Sequence, residues 1–305
     1  MNVNRVFGQL RNRTMKKMTP YLLILPMVLI FLLVIAWPII RNIEMSFFDY
    51  YLARPNKHPF IGLENYQKLF SDKVFWKSSE VTSIYISITV VARFVLGLGI
   101  ALLLNAKIKF RGLARSLLII PWAVPDIVAC LIWIQMFDFQ YGIINYFLMN
   151  IGVASEPLKW LASLDLALPA AMIVNVWKGT PWVAIMLLAG LQGIPVTLYE
   201  AAMIDGANAL QKFRNVTWPL LKPVSLTVFL LLVIWSIKDF AIIYILNKGG
   251  PAHATEVLTI FIYQKAFTDL RMGVAAAGGV VLLVVSMIFT VLYLSALEDE
   301  EGSVW

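Results

Sequence analysis

The sequence predicts an all-α membrane protein with six transmembrane helices, and its composition and its apolar runs support this prediction. Of 305 residues, 60% are hydrophobic and only 14% are charged, whereas about a quarter of the residues of a soluble domain carry charge. Apolar runs of about 20 residues, long enough to cross a bilayer, recur along the chain. None shows the alternation of a membrane β-barrel strand, so we expect helices to satisfy the backbone hydrogen bonds in lipid.

The predicted spans form one membrane domain at residues 21–295 with a short flank on each side. They cover about residues 21–40, 81–105, 116–138, 166–190, 223–245 and 273–295. A basic leader at residues 1–20 precedes the domain, and an acidic tail at residues 296–305 follows it. The first run is long enough to span, and no small-x-small cleavage site follows it. We therefore expect an uncleaved helix rather than a signal peptide.

The Lys and Arg residues of the short loops predict the orientation of the spans, because cytoplasmic loops are enriched in both. The leader, the loop near residues 106–115 and the segment at residues 193–222 are basic, and even numbers of spans separate them. Both termini and the 193–222 segment are therefore expected in the cytoplasm. The net charge of +7 arises from clusters at the ends of apolar runs, so we expect no nucleic-acid partner.

The chemistry that an intramembrane enzyme needs is missing from the sequence. The chain has two histidines, His58 and His253, and both fall in predicted external loops. No metal-binding H-E-x-x-H pair, histidine-based triad or nucleotide-binding loop occurs. The single cysteine, Cys130, lies inside an apolar run and is expected to be a buried structural thiol. We expect a protein that moves or gates a solute, with any energy supplied by another protein.

The 193–222 segment lies between the fourth and fifth spans and is too polar to cross the membrane. Residues 196 to about 204 favour a short helix, and Gly206 predicts a turn because glycine adopts positive φ easily. A second short helix follows, and we expect Pro219 and Pro223 to stop it before the fifth span. Two short helices at an angle would form a docking surface, and an ordinary interfacial loop is the alternative.

This segment resembles the EAA loop of permease subunits in binding-protein-dependent ABC importers. The loop pattern is E-A-A, three residues, G, nine residues and then I-x-L-P. The matching positions here are Glu200, Ala201, Ala202, Gly206, Val216, Trp218 and Pro219. Only two apolar positions depart, with Val for Ile and Trp for Leu. In that family the loop forms a coupling helix in a cleft of the ATPase subunit, which implies a polar contact from Glu200 and a hinge at Gly206.

The remaining chain resembles the carbohydrate branch of that family, of the maltose and glycerol-phosphate type. The supporting stretches are "IGLENYQKLF", "IIPWAVPDIVACLIWIQMF", "GIINYFL", "WKGTPW" and "LNKGGPAHAT". The resemblance implies the transmembrane domain of a type I ABC importer in a bacterial inner membrane. It implies a second homologous permease subunit, two ATPase subunits, an extracytoplasmic solute-binding protein and a sugar substrate. ATP and Mg²⁺ would be bound by the ATPase subunits, with no cofactor in this chain. A secondary carrier or channel working without an ATPase is the alternative.

Polar residues at membrane depth are costly, so we expect them to pair, face the interior or line water. They are Arg93, Asp126, Lys178, Lys238 and Asp239. An ion pair between Lys178 and Asp126 is one reading, and a sugar path is the other. The resemblance places substrate among the fourth, fifth and sixth spans. The path candidates are Asn175, Trp177, Lys178, Trp235, Lys238, Asp239 and Tyr244. Aromatic faces suit sugars, although these rings also suit interfacial belts. Gly179 and Pro181 are expected to kink the fourth span and expose backbone to a cavity.

Overall fold

The structure is a computed structural model that describes residues 21, 23–54, 56–106 and 109–302, with side chains described as far as residue 295. Among these residues the regular structure is helical, and the strand-like pairings are two isolated bridges. The predicted basic leader and the side chains of the predicted acidic tail lie outside the described residues. The helices are α1 (Leu23–Met45), α2 (Glu64–Ser71), α3 (Lys73–Asn105), α4 (Arg111–Ala123), α5 (Asp126–Met136), α6 (Ile143–Asn150), α7 (Ala167–Gln192), α8 (Val196–Ile204), α9 (Ala209–Ile237), α10 (Ala241–Asn247), α11 (Leu258–Tyr263) and α12 (Met272–Gly302).

Five of the described helices, α1, α3, α7, α9 and α12, are long and apolar enough to cross a membrane on their own. A sixth candidate consists of α4 and α5 together, which are bent by 93° at the break between them. Helix α3 begins before the predicted span at residues 81–105, because Asp72 caps its N-terminus. The Asp72 carboxylate accepts a hydrogen bond from the Val74 backbone N–H at 2.8 Å, as expected of an N-cap residue.

The predicted third span at residues 116–138 is two helices rather than one. Helix α4 ends just before Val124, which is extended with ψ of 131°, and α5 begins just after Pro125. A proline ring pushes the preceding residue out of the helical conformation, which explains the break. A proline alone is not enough to predict such a break, because Pro121 in the same apolar run lies inside α4.

Helix α9 runs through both prolines that were expected to stop a short helix, so that expectation is wrong. A π-helical turn at Phe213–Thr217 precedes Pro219. Proline lacks an N–H, and its ring crowds the carbonyl of the preceding turn. We attribute the continuity to the wider π turn, which gives the ring room and uses a different hydrogen-bond spacing. The transition from the 193–222 segment into the membrane is therefore one helix.

The predicted fifth span at residues 223–245 ends earlier than expected. Helix α9 stops at Ile237, and α10 begins at Ala241. Lys238 and Asp239 therefore lie at a break between two helices, whereas the hydropathy pattern predicts both inside one span. The residues on either side of this break are apolar, so the hydropathy pattern continues across it. Hydropathy does not show the side-chain contacts that stabilise the break.

The chain forms two compact units. The first combines the described part of residues 1–69 with residues 265–280. Its two segments pair through the backbone, since the Leu52 N–H donates to the Leu270 carbonyl at 2.9 Å. The buried side-chain amide of Asn65 donates to the carbonyls of Ser46 and Phe48, just after α1, at 2.9 and 2.8 Å. These bonds fix the loop between α1 and α2.

The second unit comprises residues 70–264 and the described residues from 281 onward. Helix α3 lies along α7, and α9 packs against both. Gly97 permits this close packing, because a Cβ there would lie 2.6 Å from Cγ1 of Val183. One apolar core contains Tyr85, Cys130, Ile243 and Ile260, and another contains Val183, Leu187, Leu221 and Leu232. Cys130 is a buried free thiol, as predicted.

Candidate functional site

The 193–222 segment contains the helix and the turn that the sequence predicts. Helix α8 covers Val196–Ile204, which confirms the short helix, and Gly206 has φ of 77°, which confirms the turn. The Gly206 N–H donates to the Met203 carbonyl at 3.1 Å, and the next N–H, of Ala207, donates to the Ala202 carbonyl at 2.9 Å. These two bonds form a Schellman motif, in which glycine is the favoured residue at the left-handed position.

The second half of the turn is equally well defined by local hydrogen bonds. Asn208 caps the start of α9, and its side-chain oxygen accepts a hydrogen bond from the Gln211 N–H at 2.9 Å. The Gln211 side chain accepts one from the Asn208 N–H at 2.8 Å, which completes a capping box. The angle between α8 and α9 is therefore set by backbone and capping contacts within a few residues.

Helix α8 presents an exposed surface that combines one carboxylate with apolar side chains. Glu200 and Ala201 are exposed, whereas Ala202 is half-buried. The side chains of Met203 and Ile204 are exposed, and 87% of the surface of Ile204 is accessible. A small apolar helix end with one acid is suited to contact another protein, because its apolar surface gains from burial.

Tyr199 joins α8 to the π-helical turn of α9. Its hydroxyl forms a hydrogen bond with the hydroxyl of Thr217 at 3.0 Å, and Thr217 is buried. The Thr217 hydroxyl also donates to the Lys212 carbonyl at 3.4 Å. The Tyr199 ring packs against the second apolar core. Displacement of α8 would therefore pull on the first turns of α9.

The remaining motif positions lie on α9 and differ in exposure. Val216 packs against the second core, whereas Trp218 and Pro219 are exposed. The Trp218 ring lies 6.3 Å from the Phe213 ring. Both rings line an open groove of about 430 Å³. Of these three motif positions, Val216 packs against the core and the other two are exposed.

Asn175 and Asp239, two of the predicted path residues, meet in a buried network. The Asn175 side-chain amide donates to the Asp239 carboxylate. The Tyr85 hydroxyl donates to the same carboxylate at 2.8 Å, and the Thr259 hydroxyl donates to the Asp239 carbonyl at 2.6 Å. The network joins α3, α7 and α11 at the break after α9. Asn175 is buried, and its side-chain nitrogen is engaged by Asp239, so its place on a path stays a prediction.

Arg93 is a buried residue of α3, the helix that also carries Tyr85. Gly179 makes room for it, because a Cβ at that position would lie 2.7 Å from the Arg93 Nε. Helix α7 continues unbroken through Gly179 and Pro181. The fourth span is therefore one continuous helix at these residues, the predicted kink stays a prediction, and the glycine accommodates a neighbouring guanidinium group.

Lys178 holds the bend between α4 and α5. Its ammonium group lies 3.1 Å from the Asp126 carboxylate, which confirms the predicted ion pair. It also donates to the carbonyls of Val124 and Trp122, at 2.7 and 3.3 Å. The break at Pro125 frees backbone carbonyls, which are costly in lipid unless another group satisfies them. Lys178 supplies that group from α7.

The predicted aromatic residues separate into pairs with different surroundings. Trp177 contacts Trp133 at 5.6 Å between ring centroids and belongs to the first apolar core. Trp235 contacts Trp182 edge-to-face at 4.6 Å, and 44% of the Trp235 surface is exposed. The pair formed by Trp182 and Trp235 therefore offers a more exposed ring than Trp177, which is half-buried.

Tyr244 belongs to a second aromatic group, at the break after α9. Its ring stacks on Phe240 at 4.8 Å and meets Tyr263 edge-on at 5.0 Å. Lys238, at the same break, is exposed. Sequence reasoning missed Tyr85, Phe240 and Tyr263, since their partners are distant along the chain. Tyr85 could have been singled out because it places a hydroxyl inside an apolar span. A buried tyrosine hydroxyl needs a hydrogen-bond partner, which points to a polar residue nearby.

The comparisons with known proteins place the chain in one family. The family described as "Binding-protein-dependent transport system inner membrane component" matches residues 93–295. The chain is 38% identical over 291 residues to the trehalose/maltose transport system permease protein MalF of Thermococcus litoralis, covering 95% of this chain and 97% of that protein. It is 36% identical over 280 residues to the sulfoquinovosyl glycerol transport system permease protein SmoG of Agrobacterium fabrum, covering 92% of this chain and 90% of that protein.

The fold is also similar to a solved transporter. The crystal structure of a bacterial alginate ABC transporter, in complex with an alginate pentasaccharide-bound periplasmic protein, matches with a TM-score of 0.78 and 21% identity. The match covers 92% of this chain and 94% of that chain. The predicted fold class, an all-α transmembrane domain of the type I importer kind, is confirmed.

The chain therefore belongs to the family of inner membrane components of binding-protein-dependent transport systems. It is a membrane-spanning permease, and such permeases are transport components rather than enzymes.

Proposed function

We propose that this chain is the permease subunit of an ATP-driven importer that takes up a sugar delivered by an extracytoplasmic binding protein. The observation that supports this most directly is α8, an exposed helix of the 193–222 segment whose residues match a coupling motif. A carrier that worked alone would gain nothing from an exposed apolar helix held by a Schellman turn. An importer driven by a separate ATPase needs such a contact.

The proposed assembly contains this chain, a second homologous permease subunit and two ATPase subunits, with the termini and the 193–222 segment in the cytoplasm. ATP and Mg²⁺ would bind to the ATPase subunits. Glu200 would make the polar contact to the ATPase, and the small side chains of Ala201 and Ala202 would let its backbone approach. Gly206 would keep α8 at the angle that its turn defines.

Transport would proceed by alternating access, with α8 as the element that the ATPase moves. Closure of the two ATPase subunits would displace α8, and the hydrogen bond between Tyr199 and Thr217 would pass this displacement to α9. Ligands can bias such a switch only through different affinities for its two states. Because α9 is one helix from the 193–222 segment to Ile237, it would carry the movement to the break at Asp239.

A sugar is the substrate class that the relatives and the aromatic residues favour. Two relatives are named as permeases for trehalose/maltose and for sulfoquinovosyl glycerol. Sugars present apolar C–H faces as well as hydroxyl groups, so an accessible aromatic ring is the expected contact. We assign Trp235 as the principal contact of the path, with Tyr244 and Lys238 nearer the break. Asn175 and Asp239 would not contact the sugar, and their hydrogen bond would instead hold the helices that line the path in position.

Cross-linking and uptake of the reconstituted complex test this proposal. An Ile204→Cys variant should cross-link to the ATPase subunit, because α8 is assigned to that contact. Sugar uptake into proteoliposomes should require ATP, the ATPase subunits and the loaded binding protein together. A matched control is Tyr141→Cys, since Tyr141 is also strongly exposed but lies in a predicted external loop. Uptake by the purified chain alone, or a cross-link from Tyr141→Cys instead, would overturn the proposal.

A further inference from the structure

The first compact unit contains a cavity of about 380 Å³ that no step proposed above uses. Its charged lining consists of Arg54, Lys68 and Arg271, with Asp49 as the acid, so positive groups outnumber negative ones by three to one. Lys68 forms an ion pair with Glu64 at 2.9 Å. Neither arginine forms an ion pair within the described residues. We call this site the cationic cavity.

The spacing of the two arginines is set by the backbone. Tyr51 and Arg271 form an antiparallel bridge, and the Gly273 N–H donates to the Tyr50 carbonyl at 3.1 Å. Gly273 is needed there, since a Cβ would lie 2.7 Å from the Asn65 side-chain nitrogen. A site whose walls are tied together in this way presents its charges in a preorganised arrangement.

The lining is better suited to carboxylates than to a neutral sugar. The Tyr50 ring is stacked on the His58 ring at 3.9 Å, and the Arg54 guanidinium lies over the Tyr51 ring at 5.8 Å. Both tyrosine rings therefore already have a partner on a face that a sugar would use. Guanidinium groups, in contrast, match carboxylates with two parallel hydrogen bonds.

The exposure of the charged groups favours a protein over a small molecule. Arg54, Lys68 and Arg271 are all exposed, whereas a small-molecule site buries most of its ligand. The loop between α1 and α2 is predicted to be external, on the side where the binding protein would approach. We propose that the cationic cavity receives an acidic surface loop of the extracytoplasmic solute-binding protein. This inference rests on the function proposed above and names the contact that it needs.

Charge reversal in the complete complex tests the inference. The wild-type complex in nanodiscs should bind the sugar-loaded binding protein of the same system, and more weakly as salt rises, because screening weakens contacts between exposed charges. The double variant Arg54→Glu/Arg271→Glu should bind it at least about tenfold more weakly. Arg54→Lys/Arg271→Lys keeps both charges and should retain most of the affinity. Lys57→Glu is the control, because Lys57 is exposed in the same loop but does not line the cavity.

Each outcome separates this inference from the proposed function. If the wild-type complex binds no binding protein, the proposed function fails and the inference fails with it. If the wild type binds and the double reversal binds equally well, only the inference fails. A loss that Lys57→Glu reproduces would indicate a general charge effect and would also overturn it. Tighter binding of free sugar to the wild type than to the double reversal, with binding-protein affinity unchanged, would assign the cavity to solute instead.

If the reversed variants fail to assemble, Arg54→Gln/Arg271→Gln offers a milder test, and it should also weaken binding of the binding protein.

Rescue of the lost affinity by a compensating substitution adds a readout that a structural defect would not produce. An acidic-to-basic substitution in the docking loop of the binding protein should restore affinity for Arg54→Glu/Arg271→Glu and lower it for the wild type. If no such substitution in any acidic surface loop discriminates between the two complexes, the proposed contact is wrong.

Discussion

The α8 turn and the network around Asp239 hold their residues in opposite ways. The α8 turn depends on hydrogen bonds between near neighbours, such as that from Ala207 to Ala202, and its side chains are exposed. The Asp239 network joins Tyr85 and Asn175, which are far apart along the chain. Both of these partners are buried, and Asp239 is half-buried. Substitutions in the first region should alter contact with a partner. Substitutions in the second should alter folding as well as transport.

The largest effect is expected for Asp239→Ala. It removes the acceptor for the Tyr85 hydroxyl and the Asn175 amide, and it leaves both buried donors without this partner. Each buried donor that is left unsatisfied lowers the free energy of unfolding by about 1–3 kcal/mol. Thermal unfolding of the purified complex measures this loss, and Lys238→Ala, at an exposed neighbour, is the control. Equal stability of the two variants would remove the distinction between the regions.

Gly206→Val should abolish most sugar uptake while ATP hydrolysis continues. Gly206 has φ of 77°, and no atom lies within 4 Å of the position that a Cβ would occupy, so the substitution acts through the backbone. A β-branched residue in this conformation costs about 1–3 kcal/mol and would reorient α8. The measured quantity is sugar transported per ATP hydrolysed.

Gly152→Val is a matched control for that experiment. Gly152 has φ of 74° and equally open surroundings, but it lies in a predicted external loop. The same backbone strain there should leave the ratio of transport to hydrolysis unchanged. A similar fall in the ratio for both variants would show that strain, and not the angle of α8, causes the uncoupling.

Trp235→Ala should lower sugar uptake about tenfold and leave assembly intact. Loss of an aromatic contact with a sugar removes about 1.5 kcal/mol, which corresponds to roughly a tenfold change. Uptake at limiting sugar measures the effect, and Trp122→Ala, at another exposed ring, is the control. Asn175→Ala should differ from Trp235→Ala by reducing stability, because Asn175 is bound to Asp239. Normal uptake by Trp235→Ala would remove this ring from the path.

The smallest effect is expected for Tyr199→Phe, which removes only the hydroxyl that contacts Thr217. One such hydrogen bond contributes about 0.5–1.5 kcal/mol, so the complex should assemble and the transport-to-hydrolysis ratio should fall moderately. Thr217→Val should produce the same fall, and the double variant should add little to either. Additive effects in this double-mutant cycle would show that the two side chains act independently. Tyr141→Phe, at an exposed ring, should change nothing.

The sequence was sufficient where structure depends on near neighbours. Helix Val196–Ile204 and the turn at Gly206 could be predicted because helix formers and a glycine act within a few residues. The ion pair between Lys178 and Asp126 could be predicted because each charge needs a partner at membrane depth. In both cases a local rule has few alternatives.

The sequence was insufficient where tertiary contacts override a local rule. Pro219 was expected to stop a helix, but a π turn accommodates it, and Pro125 breaks a run in which Pro121 does not. The space that Gly179 leaves for Arg93 was not predictable, because Arg93 is distant along the chain. The partners of Asp239 were unpredictable because hydropathy does not specify which distant side chains meet.

The buried position of Cys130 has a practical consequence for spectroscopy. It is the single cysteine of the chain, and none of its surface is accessible. The native thiol should therefore remain unreactive towards spin labels and fluorophores, so this chain needs no cysteine-free background. Probes attached at Ile204→Cys and at an introduced outer-face cysteine could then report distances during turnover without a competing signal.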